Sequence, residues 1–170
     1  MNLKSFIRSI PDFPSKGIIY RDITPLLLNP EAVNACLESF LKELPSKKID
    51  KVVGIESRGF FFSILLAQHL KAGLVPVRKA GKLPFKTFSA DYDLEYGKDQ
   101  LEIHQDAIKA GENILIHDDV LATGGTALAA AELVKKCGGN IVQFNFLLEL
   151  KSLNAREKLN EYPTFSLMEF

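Results

Sequence analysis

The stretch that leaves this chain least freedom is NILIHDDVLATGGTALAA, residues 113–130. Its opening, 113–117, is an apolar run bounded by polar residues and reads as a buried strand. Two aspartates and a glycine turn follow, and the chain then enters a helix over 124–137 that stops at Gly138 and Gly139. A strand that runs through a tight turn into a helix belongs to a parallel sheet with helices on its faces.

The rest of the chain repeats that alternation. A short strand over 51–56 precedes an almost wholly apolar helix over 59–71, and strands are predicted over 74–78 and 140–150, the last followed by a short polar helix near 152–160. Upstream, Asn29 and Pro30 suit the cap and first position of a helix whose stripe is Val33, Cys36, Leu37, Phe40, Leu41 and Leu44. The segment 10–30 carries four prolines and cannot be one regular element, so residues 1–30 read as an ordered covering segment, or hood. Between the strands at 74–78 and 113–117 lies a connection too long to be incidental. Tyr92, Leu94, Tyr96, Leu101 and Ile103 alternate about Gly97, which predicts a twisted hairpin. This hairpin, within 79–106, is either a movable flap or a structural edge. The fold class is therefore α/β, mainly parallel.

Composition sets the outer limits. The 170 residues, 46% of them hydrophobic, suffice for one domain spanning 1–170. Lysine and arginine number 21 against 21 aspartates and glutamates, so nothing global draws the chain to nucleic acid or an anionic membrane, and anion binding must be local. Cys36 and Cys137 form no CxxC pair and suit free thiols in a reducing cytoplasm. The start lacks a signal-peptide core, and no run approaches the roughly 18 apolar residues of a membrane span. A soluble, cytoplasmic protein is the expectation.

The chemistry concentrates after the strand at 113–117. A parallel strand delivers Asp118 and Asp119 to the carboxyl edge of its sheet, where open α/β folds place ligands. The loop Ala122, Thr123, Gly124, Gly125, Thr126 then enters a helix, so backbone N–H groups, two hydroxyls and the helix dipole can converge on a phosphate. No Gly-Lys-Ser/Thr follows, which excludes the P-loop spacing. The residues alone also allow a plain helix cap preceded by solvated carboxylates.

An acidic pair, a short spacer and Thr-Gly-Gly-Thr resemble the signature by which type I phosphoribosyltransferases bind phosphoribosyl diphosphate (PRPP). Five further segments, PDFPSKGIIYRDITPLL at 11–27, GIESRGFFF at 54–62, VRKAGKLPFKT at 77–87, YDLEYGKDQLEIH at 92–104 and SLNAREKL at 152–159, are similar to the adenine-using branch of that family, in its order. The resemblance implies the type I phosphoribosyltransferase fold with hood and flap, and magnesium-dependent transfer of 5-phosphoribose from PRPP to adenine, with AMP and diphosphate as products. By the same resemblance Asp118 and Asp119 meet the ribose hydroxyls while Ala122 to Thr126 hold the 5-phosphate. Ser57 and Arg58, with a cis Glu56–Ser57 peptide, bind pyrophosphate. Arg78, Lys79 and Lys82 approach it too, in part from the neighbouring subunit of a homodimer.

Ile19, Arg21 and Val120 match positions that read or flank adenine. Glu95 matches a flap glutamate on the base side of the reaction, and Tyr96 a flap tyrosine that closes over the site. Magnesium is expected mainly on the substrate's diphosphate; no protein ligand for it is identified. The sequence departs from the family's commonest pattern at Glu56, at Phe85 and Lys86, and at His117, which is either a modulator of the acidic pair or a buried structural histidine. Another purine phosphoribosyltransferase, or a non-catalytic PRPP-sensing regulator of the same fold, are the alternatives.

Overall fold

A computed structural model describes residues 1–94 and 97–170, in two compact units, 1–42 and 43–170. The readings on Glu95 and Tyr96 lie outside the described residues.

The first unit is arranged around its prolines. After a 3-10 turn, Leu3–Phe6, an antiparallel pair forms from β1 (Arg8–Pro11) and β2 (Ile19–Asp22), with Arg8 opposite Asp22. Pro11 ends β1, Pro25 sits in the first turn of α1 (Thr24–Leu27), and Pro30 opens α2 (Pro30–Lys42). Early helical positions have no intrahelical use for an amide hydrogen, so proline costs nothing there. The Asn29 side chain accepts the Ala32 N–H at 2.8 Å, the cap predicted for α2. That helix buries Ala32, Cys36 and Phe40, so the centre of its stripe lies slightly to one side of the predicted one. The β1–β2 pair was not anticipated, because four-residue strands leave too little alternation to detect.

The second unit is a seven-stranded sheet in the spatial order β5-β6-β4-β3-β7-β8-β9. These strands are β3 (Lys51–Ile55), β4 (Gly73–Lys79), β5 (Thr87–Leu94), β6 (Gly97–His104), β7 (Asn113–Leu121), β8 (Asn140–Glu149) and β9 (Thr164–Glu169). All pairs from β4 through β9 are parallel, whereas β6 runs antiparallel to both neighbours. Eight consecutive residues of β8 are buried, as are four of β3, which is what a strand covered on both faces requires. Side chains alternate between the faces. Gly54 and His117 meet α3 (Gly59–Leu70) through Ser63 and Phe62, while Val53, Ile55, Ile114, Ile116, Phe144 and Phe146 share a core with α4 (Gly125–Lys136).

Three features depart from expectation. β7 does not stop at His117 but continues through the acidic pair to Leu121, paired with β8 as far as Glu149. The polar helix near 152–160 is two 3-10 turns, Lys151–Leu153 and Ala155–Glu157, since Asn154 between them takes a left-handed φ of +49°. The chain then adds β9, whose half-buried residues carried no clear period. The hairpin is β5–β6. Its base joins β4 through Arg78 opposite Glu102 and Lys79 opposite Leu101, and it sends Ala90, Leu101 and Ile103 into the core. The base is thus a structural edge of the sheet.

Candidate active site

Because β3, β4, β7 and β8 are parallel, their carboxyl ends lie along one edge. The segments leaving them carry Glu56 to Arg58, Arg78 to Lys82, Asp118 to Thr126, and Ala155 to Lys158. Most of the predicted site residues are gathered there.

The acidic pair sits at the end of β7. One Asp118 carboxylate oxygen accepts the Asp119 N–H at 2.8 Å, and the Asp119 carboxylate lies 2.6 Å from Nε of Arg58. Asp119 is buried and Arg58 largely shielded. Loss of solvation, together with the charge of Asp119, holds the Asp118 carboxyl well above the usual carboxylate range. Burial also raises Asp119, against the opposing pull of the Arg58 guanidinium. The site concentrates negative charge at low hydration and supplies one cation to balance it. Gly59 makes this approach possible. A Cβ there would lie 2.8 Å from Oδ1 of Asp118, 3.1 Å from its Cα and 3.2 Å from the carbonyl oxygen of His117.

His117 itself is fully buried, its ring 6.1 Å from that of Phe62, and burial pushes its pKa down to about 3. A neutral histidine brings no charge to the acidic pair, so it belongs to the fold rather than to the electrostatics of the site.

Beyond Asp119 the chain turns into α4 through Gly124, which caps the helix at a φ of +81°. L side chains rarely adopt that angle, and glycine does so without a steric penalty. Asp118, Val120, Ala122, Thr123, Gly124 and Thr126 line one small cleft. A plain cap preceded by solvated carboxylates does not describe this geometry: no side chain caps the helix, and Asp119 is buried and paired.

The basic residues are organised by Glu56, which the sequence marked only as a departure. Its carboxylate accepts the Lys79 N–H at 3.1 Å and Nε of Arg78 at 3.3 Å, and is also bonded to the Lys82 ammonium. Burial works to raise its pKa, but the Lys82, Lys79 and Arg78 contacts outweigh it and hold the carboxyl below its ordinary value. The Lys79 ammonium turns instead to Asp99, 3.0 Å away, which also accepts the Tyr92 hydroxyl at 2.9 Å. The cluster in the sequence is therefore divided between two carboxylates, and Lys86 is exposed. Arg78, Lys79, Lys82 and Lys86 fall within nine positions of the sequence, which shows a basic cluster but not which carboxylates from other strands it meets. The Glu56–Ser57 peptide is cis, as the resemblance implied.

Ile19 and Arg21 lie on β2 in the first unit. Ile19 is 52% exposed, and the Arg21 guanidinium donates to Oγ of Ser9. Among the described residues no group of three or more His, Cys, Asp or Glu side chains is placed to hold a metal ion.

Comparison with known proteins gives a consistent result. The phosphoribosyl transferase domain family matches residues 26–167. The adenine phosphoribosyltransferase of Christiangramia forsetii is 61% identical over 170 residues, covering 100% of this chain and 99% of that protein. The adenine phosphoribosyltransferase of Rhodothermus marinus superposes with a TM-score of 0.95 at 50% identity, covering 99% of this chain and 96% of the other. That of Saccharomyces cerevisiae, complexed with an imino-altritol bisphosphate and adenine, superposes with a TM-score of 0.93 at 47% identity, covering 97% and 96% respectively.

Proposed function

The chain belongs to the phosphoribosyltransferase family and within it to the adenine phosphoribosyltransferases, and from that premise we propose how its residues divide the work. The reaction displaces diphosphate from C1 of PRPP by N9 of adenine and yields AMP, a step of purine salvage. Asp118 and Asp119 accept hydrogen bonds from the ribose hydroxyls. Bonds to an ionised acceptor contribute about 1.5–3 kcal/mol each, and binding PRPP draws the pair toward its charged form. Ala122, Thr123, Gly124, Gly125 and Thr126 hold the 5-phosphate at the start of α4.

Ser57, Arg58, Arg78, Lys79 and Lys82 take the diphosphate, whose charge grows as the C1–O bond breaks. Cations already poised near carboxylates need little reorganisation to meet it. Magnesium, bound chiefly through diphosphate oxygens, neutralises part of that leaving charge.

Ile19, Arg21 and Val120 are assigned to the base, Glu95 to the hydrogen bond or proton on its reacting side, and Tyr96 to closure. Residues 1–170 act as one catalytic domain, with 1–30 as the hood and 79–106 as the flap. The base of that flap is built into the core and joined to β4, so it stays with the sheet. The enzyme works as a homodimer. Phe61 and Ile64, 47% and 50% exposed and one turn apart on α3, provide an apolar face for a second copy. Two free cysteines agree with a cytoplasmic setting, and no helix among the described residues is long and apolar enough to cross a membrane.

The observation that carries the reading is the convergence of Arg58 from the end of β3 with Asp119 at the end of β7, beside the glycine turn into α4. Incubation with PRPP, magnesium and each nucleobase in turn tests it. AMP should form from adenine, and no nucleotide from guanine or hypoxanthine. If adenine gives no AMP, the reading is wrong.

A further inference from the structure

The segment after β8 reaches the same edge of the sheet with no role assigned to its residues, yet it lies directly against the phosphate turn. Ala155 is buried, and both its Cβ and its carbonyl oxygen lie 3.4 Å from where a Cβ on Gly124 would stand; Cδ of Lys158 lies 3.7 Å from the same point. Lys158 also lines, with Thr123 and Gly125, a cavity of about 310 Å³ at the start of α4. The acidic groups bordering that cavity are engaged elsewhere. Glu132 pairs with Lys136 at 2.7 Å, and Asp91 accepts from Nε2 of Gln100 at 2.7 Å. Among the side chains described, which exclude those of 93–98, no carboxylate lies within ion-pair distance of Lys158.

A fork of hydrogen bonds holds this segment in place. Nε of Arg156 donates to both carboxylate oxygens of Glu149, at 2.9 and 3.0 Å, its second terminal nitrogen donates to Glu149 at 2.7 Å, and its first donates to the Thr164 carbonyl at 3.0 Å. Glu149 is buried at the end of β8, and Thr164 begins β9. Such a planar, multiply bonded pair fixes orientation as well as distance. It ties the turn carrying Ala155 to two strands of the sheet and so sets the position of Lys158 beside Gly124.

The geometry points to Lys158 as a further binding residue for the 5-phosphate of PRPP, with Arg156 and Glu149 as the positioning pair that presents it. This inference rests on the assignment of Ala122 to Thr126 to that phosphate. The turn offers mainly neutral N–H and O–H donors at a helix start, and a phosphate monoester carries nearly two negative charges at neutral pH. The Lys158 ammonium, on a side chain that borders the same cavity as Thr123 and Gly125, supplies formal charge that the turn lacks. It also favours the phosphorylated sugar over one without the group.

Steady-state kinetics of Lys158→Gln test this. KM for PRPP should rise about fivefold, the size of one charge contact at a partly exposed site, while KM for adenine, kcat and the melting temperature stay unchanged. The dependence of KM for PRPP on salt should also weaken. Arg156→Gln should raise KM for PRPP in the same sense and lower the melting temperature as well. Lys151→Ala, which breaks an exposed pair with Glu169 in the same segment, should do neither. Gly124→Ala serves as the reference for the turn itself. If it weakens PRPP binding while Lys158→Gln leaves KM for PRPP and its salt dependence unchanged, Lys158 has no part in the phosphate site. If neither substitution affects PRPP, the assignment of the turn has failed instead.

Discussion

Gly59→Ala replaces a hydrogen with a methyl group at a point where the first turn of α3 meets the end of β7. The new Cβ would stand 2.8 Å from Oδ1 of Asp118, 3.1 Å from Asp118 Cα and 3.2 Å from the His117 carbonyl oxygen, where ordinary contacts begin at 3.4 Å. The carboxylate oxygen can rotate away, but the two backbone atoms cannot. Either α3 lifts by a few tenths of an ångström or the end of β7 recedes by as much. Overpacking of this kind costs about 1–3 kcal/mol, which for a chain of this size lowers the melting temperature by about 2–4 °C per kcal/mol.

The position of Asp118 changes as well, since its carboxylate must leave the place that the substitution fills. Loss of one hydrogen bond to an ionised acceptor corresponds to at least tenfold in PRPP affinity. The assay is a PRPP titration beside a thermal melt, with Gly73→Ala as the control. A Cβ at Gly73 meets only the flexible end of Lys51, at 2.8 Å from Cδ and 3.0 Å from Nζ, so that variant should melt and bind as the wild type does. A Gly59→Ala protein that melts lower but binds PRPP with unchanged affinity would refute the placement of Asp118 on the ribose.

Two further perturbations address other parts of the molecule. Burial tends to raise the Glu149 pKa, but the bonds from Arg156 prevail and hold it below its ordinary 4.5. A depressed carboxyl stabilises the fold above the unfolded value and loses that contribution as pH falls through the folded one. Wild-type stability should therefore drop below about pH 4.5, and Glu149→Gln should show a shallower acid limb and be less stable by about 1–2 kcal/mol at neutral pH, the half-exposed Arg156 moderating the effect; parallel pH-dependent urea melts showing identical acid limbs would contradict it. Ile64→Glu places a charge on the apolar face of α3 and should shift the protein to monomers in sedimentation velocity, and an unchanged dimer would move the interface elsewhere.

Much of this site can be read along the chain because its groups are consecutive. The strand, the acidic pair, the glycine turn and α4 occupy one stretch, so local chemistry specifies their order and the edge of the sheet where they emerge. Gly124 needs its positive φ whatever packs around it. The interrupting prolines of the first unit likewise announced a segment that could not be a single helix or strand. Elements without a period, β1, β2 and β9, stayed silent, because four to six mostly exposed or half-buried residues look the same in a strand and in a loop.

What only the tertiary structure decided is which charges face one another. Arg58 and Asp119 are far apart in sequence and 2.6 Å apart in space, and Glu56 gathers Arg78 and Lys82 from beyond a whole helix and strand. Arg156 and Lys158 stood in SLNAREKL without a role of their own, and only the fork to Glu149 puts their turn against Gly124. Sequence pattern reports which face of an element is apolar, since that is periodic and local. The pairing of charges depends on which strands end side by side, and that follows from the order of strands in the completed sheet.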